Sequence, residues 1–219
     1  MILFFDTETT GLYPGRIIQL TYIMVDGKNP PIAKNFFFAV EYIEPSASAV
    51  NGFTVEKLLK LSNGNTFSCH TEEIYDDFKS ADLIIAHNVK FDLNFMIAEF
   101  CYQDRIFRYN ESLDTMKIFM PIIKMERSNH KGYKYPKLGE MCEFLDIYPY
   151  DITKKTIELF GEAVGSHDAR YDTVSLYLSF FEGAKKFDVL KETCQKNLNI
   201  TIPYRILHRD FLLPHQTVQ

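Results

Sequence analysis

Near the start of the chain apolar and polar positions alternate in strand fashion; later they fall at helical spacing. Ile2 to Phe5 is a short apolar run, stopped by the turn-prone stretch Thr10-Gly11-Leu12-Tyr13-Pro14-Gly15. From 17 to 25, Ile18, Leu20, Tyr22 and Met24 alternate with Gln19 and Thr21, the period-2 pattern of a strand. Pro30-Pro31 interrupts it, and Phe36 to Val40 predicts a third strand that completes a meander. Helical spacing begins near residue 54. A helix is expected over 71–80, with acidic residues in its first turn, and a buried strand over Asp82 to Ala86. A helix over about 89–103 carries Val89, Leu93, Met96, Ile97 and Phe100 on one face. A short helix is expected from Leu138 to Leu145, and a long one over about 168–185 with Val174, Tyr177, Leu178 and Phe181 as its stripe. Strands come first and helices later, which predicts a mixed sheet covered by helices.

Composition narrows the class. The chain has 219 residues, 46% of them hydrophobic and 24% charged, enough to bury a core and unlike a disordered or collagen-like sequence. No apolar run approaches the ~20 residues of a membrane span, and no basic leader precedes Asp6, so neither a membrane segment nor a secretory signal is expected. Cys69, Cys101, Cys142 and Cys194 are widely spaced with no CxxC pair, as in a reduced, cytoplasmic protein. A net charge of −5 argues against wholesale coating of nucleic acid, while a local basic patch stays open. The texture changes after Gly183, so one domain is expected over 1–185 and an extension over 186–219.

The chemistry concentrates in carboxylates. Asp6 and Glu8 stand two apart where an apolar strand meets a turn, so their side chains leave the same face. Two carboxylates that close repel, and a cation or a shared proton relieves them; all-oxygen ligation suits Mg²⁺ or Mn²⁺ better than zinc. Alone, the pair reads equally as solvated charges. Two further clusters change the balance. His87-Asn88-Val89-Lys90-Phe91-Asp92 places Asp92 in the first turn of a helix, and Ser166-His167-Asp168-Ala169-Arg170-Tyr171-Asp172 opens the last long one. His167 and Asp172 lie five apart, about 140° around a helix of ~3.6 residues per turn. The two can share a site if His167 belongs to the preceding loop and Asp172 to the second turn.

These three clusters, FDTETTGL, HNVKFD and HDARYD in that order, resemble the motifs of the DnaQ-like 3′–5′ exonucleases of the DEDDh type. Leu113-Asp114-Thr115 and Lys137-Leu138-Gly139-Glu140-Met141-Cys142 add weaker echoes, and the likeness covers roughly residues 1–183. It implies an α/β, ribonuclease-H-like fold: a five-stranded mixed β-sheet flanked by α-helices. It also implies release of nucleoside 5′-monophosphates from 3′ ends of single-stranded DNA or RNA by a two-metal-ion mechanism. Asp6, Glu8, Asp92 and Asp172 would hold two divalent cations, Mg²⁺ or Mn²⁺, and His167 would take a proton from the attacking water. Many relatives carry His-Gly where this chain has Asn51-Gly52.

The remaining residues divide between function and packing. Thr9, Thr10 and Leu12 either hold the 3′-terminal nucleotide or form an ordinary turn. Asn88 and Phe91 flank Asp92, and Phe91 either stacks on a base or packs in the core. His87 ends a buried strand, where a structural hydrogen bond is expected. Residues 124–137 (KMERSNHKGYKYPK) carry +4 with interleaved Tyr133 and Tyr135; Lys131, Lys134 and Lys137 are candidates for upstream phosphates, against a plain solvated loop. The partners implied are nucleic-acid 3′ ends, with a DNA polymerase subunit or a second copy of the chain as further candidates and no membrane. The alternative function is a proofreading or scaffold subunit that acts mainly through a polymerase.

Overall fold

The computed structural model describes residues 1–12, 14–129 and 131–199. Five strands, β1 (Ile2–Thr9), β2 (Ile17–Val25), β3 (Ile32–Phe37), β4 (Leu83–Ala86) and β5 (Glu111–Asp114), form one sheet in the order β3-β2-β1-β4-β5. The three N-terminal strands pair antiparallel, and β4 and β5 add in parallel. The helices are α1 (Pro45–Asn51), α2 (Val55–Leu61), α3 (Thr71–Ser80), α4 (Val89–Cys101), α5 (Thr115–Ile123), α6 (Leu138–Phe144), α7 (Pro149–Phe160), α8 (Ala169–Lys186) and α9 (Asp188–Leu198). This is the mixed, helix-flanked sheet that the sequence leads one to expect.

The alternation along β1 sorts its side chains between two cores. Ile2 and Phe4 face the core built with α5 to α9, while Leu3 and Phe5 face the one built with α3 and α4. Strand β2 departs from expectation. Period-2 patterning ordinarily accompanies one wet face, yet all nine of its residues are buried because helices cover both sides. Strand β3 begins earlier than the phenylalanine cluster suggests. Its register against β2 runs from Met24↔Ile32 to Gln19↔Phe37, and the backbone turns away after Phe38, whose N–H still donates to the Ile18 carbonyl, while Ala39 N–H donates to the Asn65 carbonyl. Helices α1, α5 and α7 lie where the hydrophobic pattern predicts none; α5 even contains Pro121.

Helix α9 falls within the extension expected from 186. Leu190, Cys194 and Leu198 bury in the same core as Phe4 and Phe180, so this part of the extension is built into the domain; residues 200–219 lie outside the described residues. Gly183 allows the approach. A methyl group there would come within 2.7 Å of Leu190 and 2.8 Å of Phe119. Gly183→Ala should therefore lower the denaturation midpoint, the overpacking cost of roughly 1–3 kcal/mol exceeding the ~1 kcal/mol of helix propensity that alanine returns. An unchanged or raised midpoint in urea would show that the interface relaxes freely.

Candidate active site

The site lies where β1 outruns its neighbour. β4 pairs with β1 only from Ile2 to Phe4, whereas β2 follows β1 to Thr9, so Asp6 to Thr9 extend beyond the parallel pairing. Asp6 and Glu8 share a face, and α8 crosses that face. Asp172, in the first turn of α8, meets them: one oxygen from each of the three carboxylates lies within 4.8 Å of the others. Asp92 arrives from α4 on the opposite side of β1 and is held through the intervening residue. Its Oδ1 accepts from the Thr7 backbone N–H (3.1 Å) and from Thr7 Oγ1 (2.8 Å). The two faces of one strand thus gather four acids around its end.

Their protonation shows the strain of that gathering. Burial, then the charges of Asp92, Asp172 and Glu8, hold Asp6 well above the usual carboxylate range. Burial and the Asp172 charge push Glu8 up to about 8, against a hydrogen bond from Asn51 that lowers it. Burial raises Asp92 to about 7 despite the Thr7 hydrogen bonds, and Asp172 to about 6 despite the His167 backbone N–H. Groups raised on folding contribute their stability fully below the unfolded pKa and lose it as pH rises through the folded one. The metal-free protein should therefore lose stability between about pH 4.5 and 8, and Mg²⁺ or Mn²⁺ should restore it most at the alkaline end. Melting curves at pH 5 and pH 8, with and without Mn²⁺, test this; a metal-independent, pH-flat midpoint would count against it. Four acids, all oxygen donors, fit a hard divalent cation.

His167 belongs to the loop before α8, as its spacing requires, while Asp172 falls in the helix's first turn instead of its second. The His167 backbone is left-handed (φ 64°), its side chain is exposed, and its N–H donates to Asp172 Oδ2 at 3.1 Å. The ring is thus tethered beside the acids by its backbone.

The β1–β2 turn is built, not merely a reversal. Thr9 Oγ1 donates to the Gly11 carbonyl (2.8 Å), Thr10 N–H donates to the Arg16 carbonyl, and Arg16 N–H donates to Thr10 Oγ1 (2.9 Å). Arg16 in turn makes two hydrogen bonds to Glu99, which is 1% exposed and also accepts from Ile17 N–H. Leu12 projects from this turn, 76% exposed. Asn51 reaches the same place: its amide donates to the Thr9 carbonyl at 3.4 Å and bonds Glu8. Asn88 caps α4 in a left-handed conformation (φ 73°), its N–H donating to Asp114 Oδ1. Phe91 packs on Phe95 with ring centroids 5.0 Å apart, half-buried against the α4 core.

His87 takes the structural position expected of it. Its Nε2 donates to the Pro136 carbonyl (2.9 Å) and its Nδ1 contacts Thr115 Oγ1 (3.0 Å), which ties the basic loop to the end of β4. The loop turns back on itself through the Glu126↔Tyr133 bridge. Lys131 and Lys137 are exposed, whereas Lys134 is spent partly on Glu140 at 2.5 Å. None of the three lysines joins the carboxylate group.

Sequence reasoning passed over Gln19, Asp168, Arg170, Arg16 and Glu99, which brace the site from behind. Two signals were available: Gln19 is an amide inside a largely apolar strand, and Glu99 a second carboxylate, seven residues after Asp92, on a largely apolar helix.

In fold the chain is similar to E. coli exonuclease I solved with a dA16 oligonucleotide, at 16% identity and a TM-score of 0.67, over 89% of this chain and 43% of that one. A zinc-bound form of the E. coli exonuclease I complex with single-stranded DNA gives 18% identity and a TM-score of 0.67 over 89% and 42%. The E. coli complex with a dT13 oligonucleotide gives 16% and 0.61 over 90% and 41%. This chain spans less than half the length of these proteins. No curated protein matches in sequence. Residues 3–180 match the family model RNase T, described as an exonuclease. With most of its length matched and its acids gathered at one strand end, the chain belongs to the RNase T exonuclease family.

Proposed function

We propose that this protein is a metal-dependent 3′–5′ exonuclease that releases nucleoside 5′-monophosphates from single-stranded DNA or RNA. The observation that carries the reading is the convergence of Asp6, Glu8 and Asp172 within 4.8 Å, with Asp92 braced behind them. Two divalent cations, Mg²⁺ or Mn²⁺, would supply charge neutralisation at the phosphate and an acidified water when bound. Asp6, Glu8 and Asp172 would hold one of them; Asp6 would also reach the other, with Asp92 helping directly or through water. His167, mounted in its exposed loop, takes the proton of the attacking water, a task that suits an imidazole near neutral pH. Leu12 and the Thr9–Thr10 backbone grip the terminal nucleotide, with Asn88 and Phe91 bordering it. Four free, widely spaced cysteines support a cytoplasmic place of action. Among the described residues no helix is long and apolar enough to cross a membrane.

Degradation of matched 5′-labelled DNA and RNA oligomers, with Mg²⁺ or Mn²⁺ and with excess EDTA, tests the reading. A descending ladder with mononucleotide 5′-phosphates is expected. Internal cuts, release from the 5′ end, or degradation that persists in EDTA would overturn it. The isolated chain should be active, which separates an enzyme from a subunit that works only on a polymerase.

The upstream strand needs a second hold, and the 124–137 loop is the basic stretch that His87 fastens near the site. Each phosphate neutralised on a single strand contributes ~0.7 to the fall of log K with log salt. Replacing Lys131, Lys134 and Lys137 by Gln should weaken long oligonucleotides and flatten their salt dependence. Lys134 should contribute least, because Glu140 already neutralises part of it. Dinucleotide cleavage should stay near wild type. An unchanged salt slope, measured in an Asp6→Asn background, would make the loop plain solvated surface.

A further inference from the structure

We infer that Gln19 is a positioning residue that holds the His167–Asp172 segment against the strand carrying Asp6 and Glu8, an inference that rests on the exonuclease reading above. Gln19 is fully buried in β2 and lies opposite Glu8 in the β1–β2 register. Cross-strand neighbours of that kind stand ~5 Å apart at Cβ, so Gln19 is the side chain directly beside Glu8 on the face that α8 covers. Both donor hydrogens of its amide and one acceptor position are used. Nε2 donates to Asn35 Oδ1 (2.8 Å) and to Asp168 Oδ1 (2.9 Å), and Oε1 accepts from the Ala169 backbone N–H (3.1 Å). The orientation is not open to a flip. A backbone N–H can only donate and a carboxylate can only accept, so oxygen must face Ala169 and nitrogen must face Asp168.

What Gln19 grips is the hinge between the two halves of the third motif. Asp168 caps α8, accepting from Arg170 N–H at 3.0 Å, and also takes Arg170 Nε (2.8 Å) and its terminal nitrogen (2.7 Å). Arg170 is itself held by Glu162 and lies 5.4 Å over the Phe37 ring. Immediately before Asp168 comes His167 in its left-handed conformation, and four residues after it comes Asp172. One amide from the strand beside Glu8 therefore fixes both the start of α8 and the turn that carries His167. Thr21 completes the brace from below, donating to Asn35 Oδ1 at 2.7 Å. Thr173 Oγ1 adds a longer bond to the Thr21 carbonyl (3.3 Å) further along α8, whereas the Thr9–Leu12 turn has its own tie through Arg16 and Glu99. Gln19 should thus act on the acids and His167 and leave the nucleotide grip alone.

The test is Gln19→Met, close in length and volume but unable to make any of the three hydrogen bonds. Misplacement of a reacting group by about 1 Å costs on the order of 10²-fold, so kcat should fall by about that factor with KM for a short single strand nearly unchanged. In the metal-free protein the Ala169 amide should exchange faster with solvent, and Mn²⁺ binding should weaken. A folded Met variant with wild-type kcat and wild-type Ala169 protection overturns the inference, even if its melting point drops. Should Gln19→Met fail to fold, Gln19→Asn keeps a buried amide but is one methylene too short to reach Asp168 and Ala169 together, and should show the same kcat loss and faster Ala169 exchange; wild-type values there overturn the inference equally. A wild-type protein with no turnover would sink the exonuclease reading instead, while the exchange measurement would still decide the role of Gln19.

Discussion

Asp6→Asn should abolish turnover, by about 10³-fold or more, and weaken divalent binding measured by calorimetry with Mn²⁺. Several kcal/mol of transition-state charge stabilisation are at stake in such a site, and each ~1.4 kcal/mol is tenfold in rate. Asp6 has the largest expected effect because it sits at the meeting of the two halves of the site. Glu8 and Asp172 approach it from the α8 side of β1, and the Asp92 charge reaches it from the α4 side. Asparagine keeps the shape and removes the shared charge. The same substitution should raise the midpoint of the metal-free protein at pH 8, since it removes one member of a group of buried, mutually repelling acids. Lost activity with gained metal-free stability is the combined signature. Wild-type turnover in Asp6→Asn would sink the two-metal assignment, and a loss of activity caused by unfolding would appear as a lowered midpoint.

The sequence was legible where one interaction dominates. Paired acids two apart on a strand must share a face, so Asp6 and Glu8 could be placed together without coordinates. The five-residue spacing likewise let His167 share a site with Asp172 only from the preceding loop; His167 lies there, with α8 beginning at Ala169, although Asp172 falls in the first turn and not the second. Strand β2 was harder. Alternation showed a strand but hid the burial of both faces, because Gln19 and Thr21 look solvent-seeking until their partners Asp168, Asn35 and Ala169 are known. Those partners lie up to 150 residues away, and no local pattern encodes them. Helix α5 was hidden for a related reason. Its apolar residues and Pro121 obscure the period, and its N-cap, Asp114, is set by tertiary position, where one carboxylate oxygen accepts from both Met116 and Asn88. The acids of the site could thus be read locally, but the brace that spaces them could not.

His167 is best tested by a substitution that its backbone permits. The residue sits at φ 64°, and its N–H donates to Asp172. Glutamine would remove the ring but carries a longer side chain with little tolerance for the left-handed region. Asparagine is among the non-glycine residues that adopt it most readily. His167→Asn should therefore preserve the turn, the Asp172 tether and metal affinity while removing the proton acceptor. Turnover should fall by about 10²–10⁴-fold, the usual scale for general acid–base catalysis. A further readout separates a base from a ligand. Mn²⁺ affinity should stay near wild type if Asp6, Glu8 and Asp172 supply the oxygens. His167→Gly, which relaxes the backbone, should be as inactive as the asparagine variant if the ring is what matters. If glycine is markedly worse than asparagine, or if Mn²⁺ affinity collapses in either, then His167 serves the site through its backbone tether to Asp172, and the proton must leave by another route.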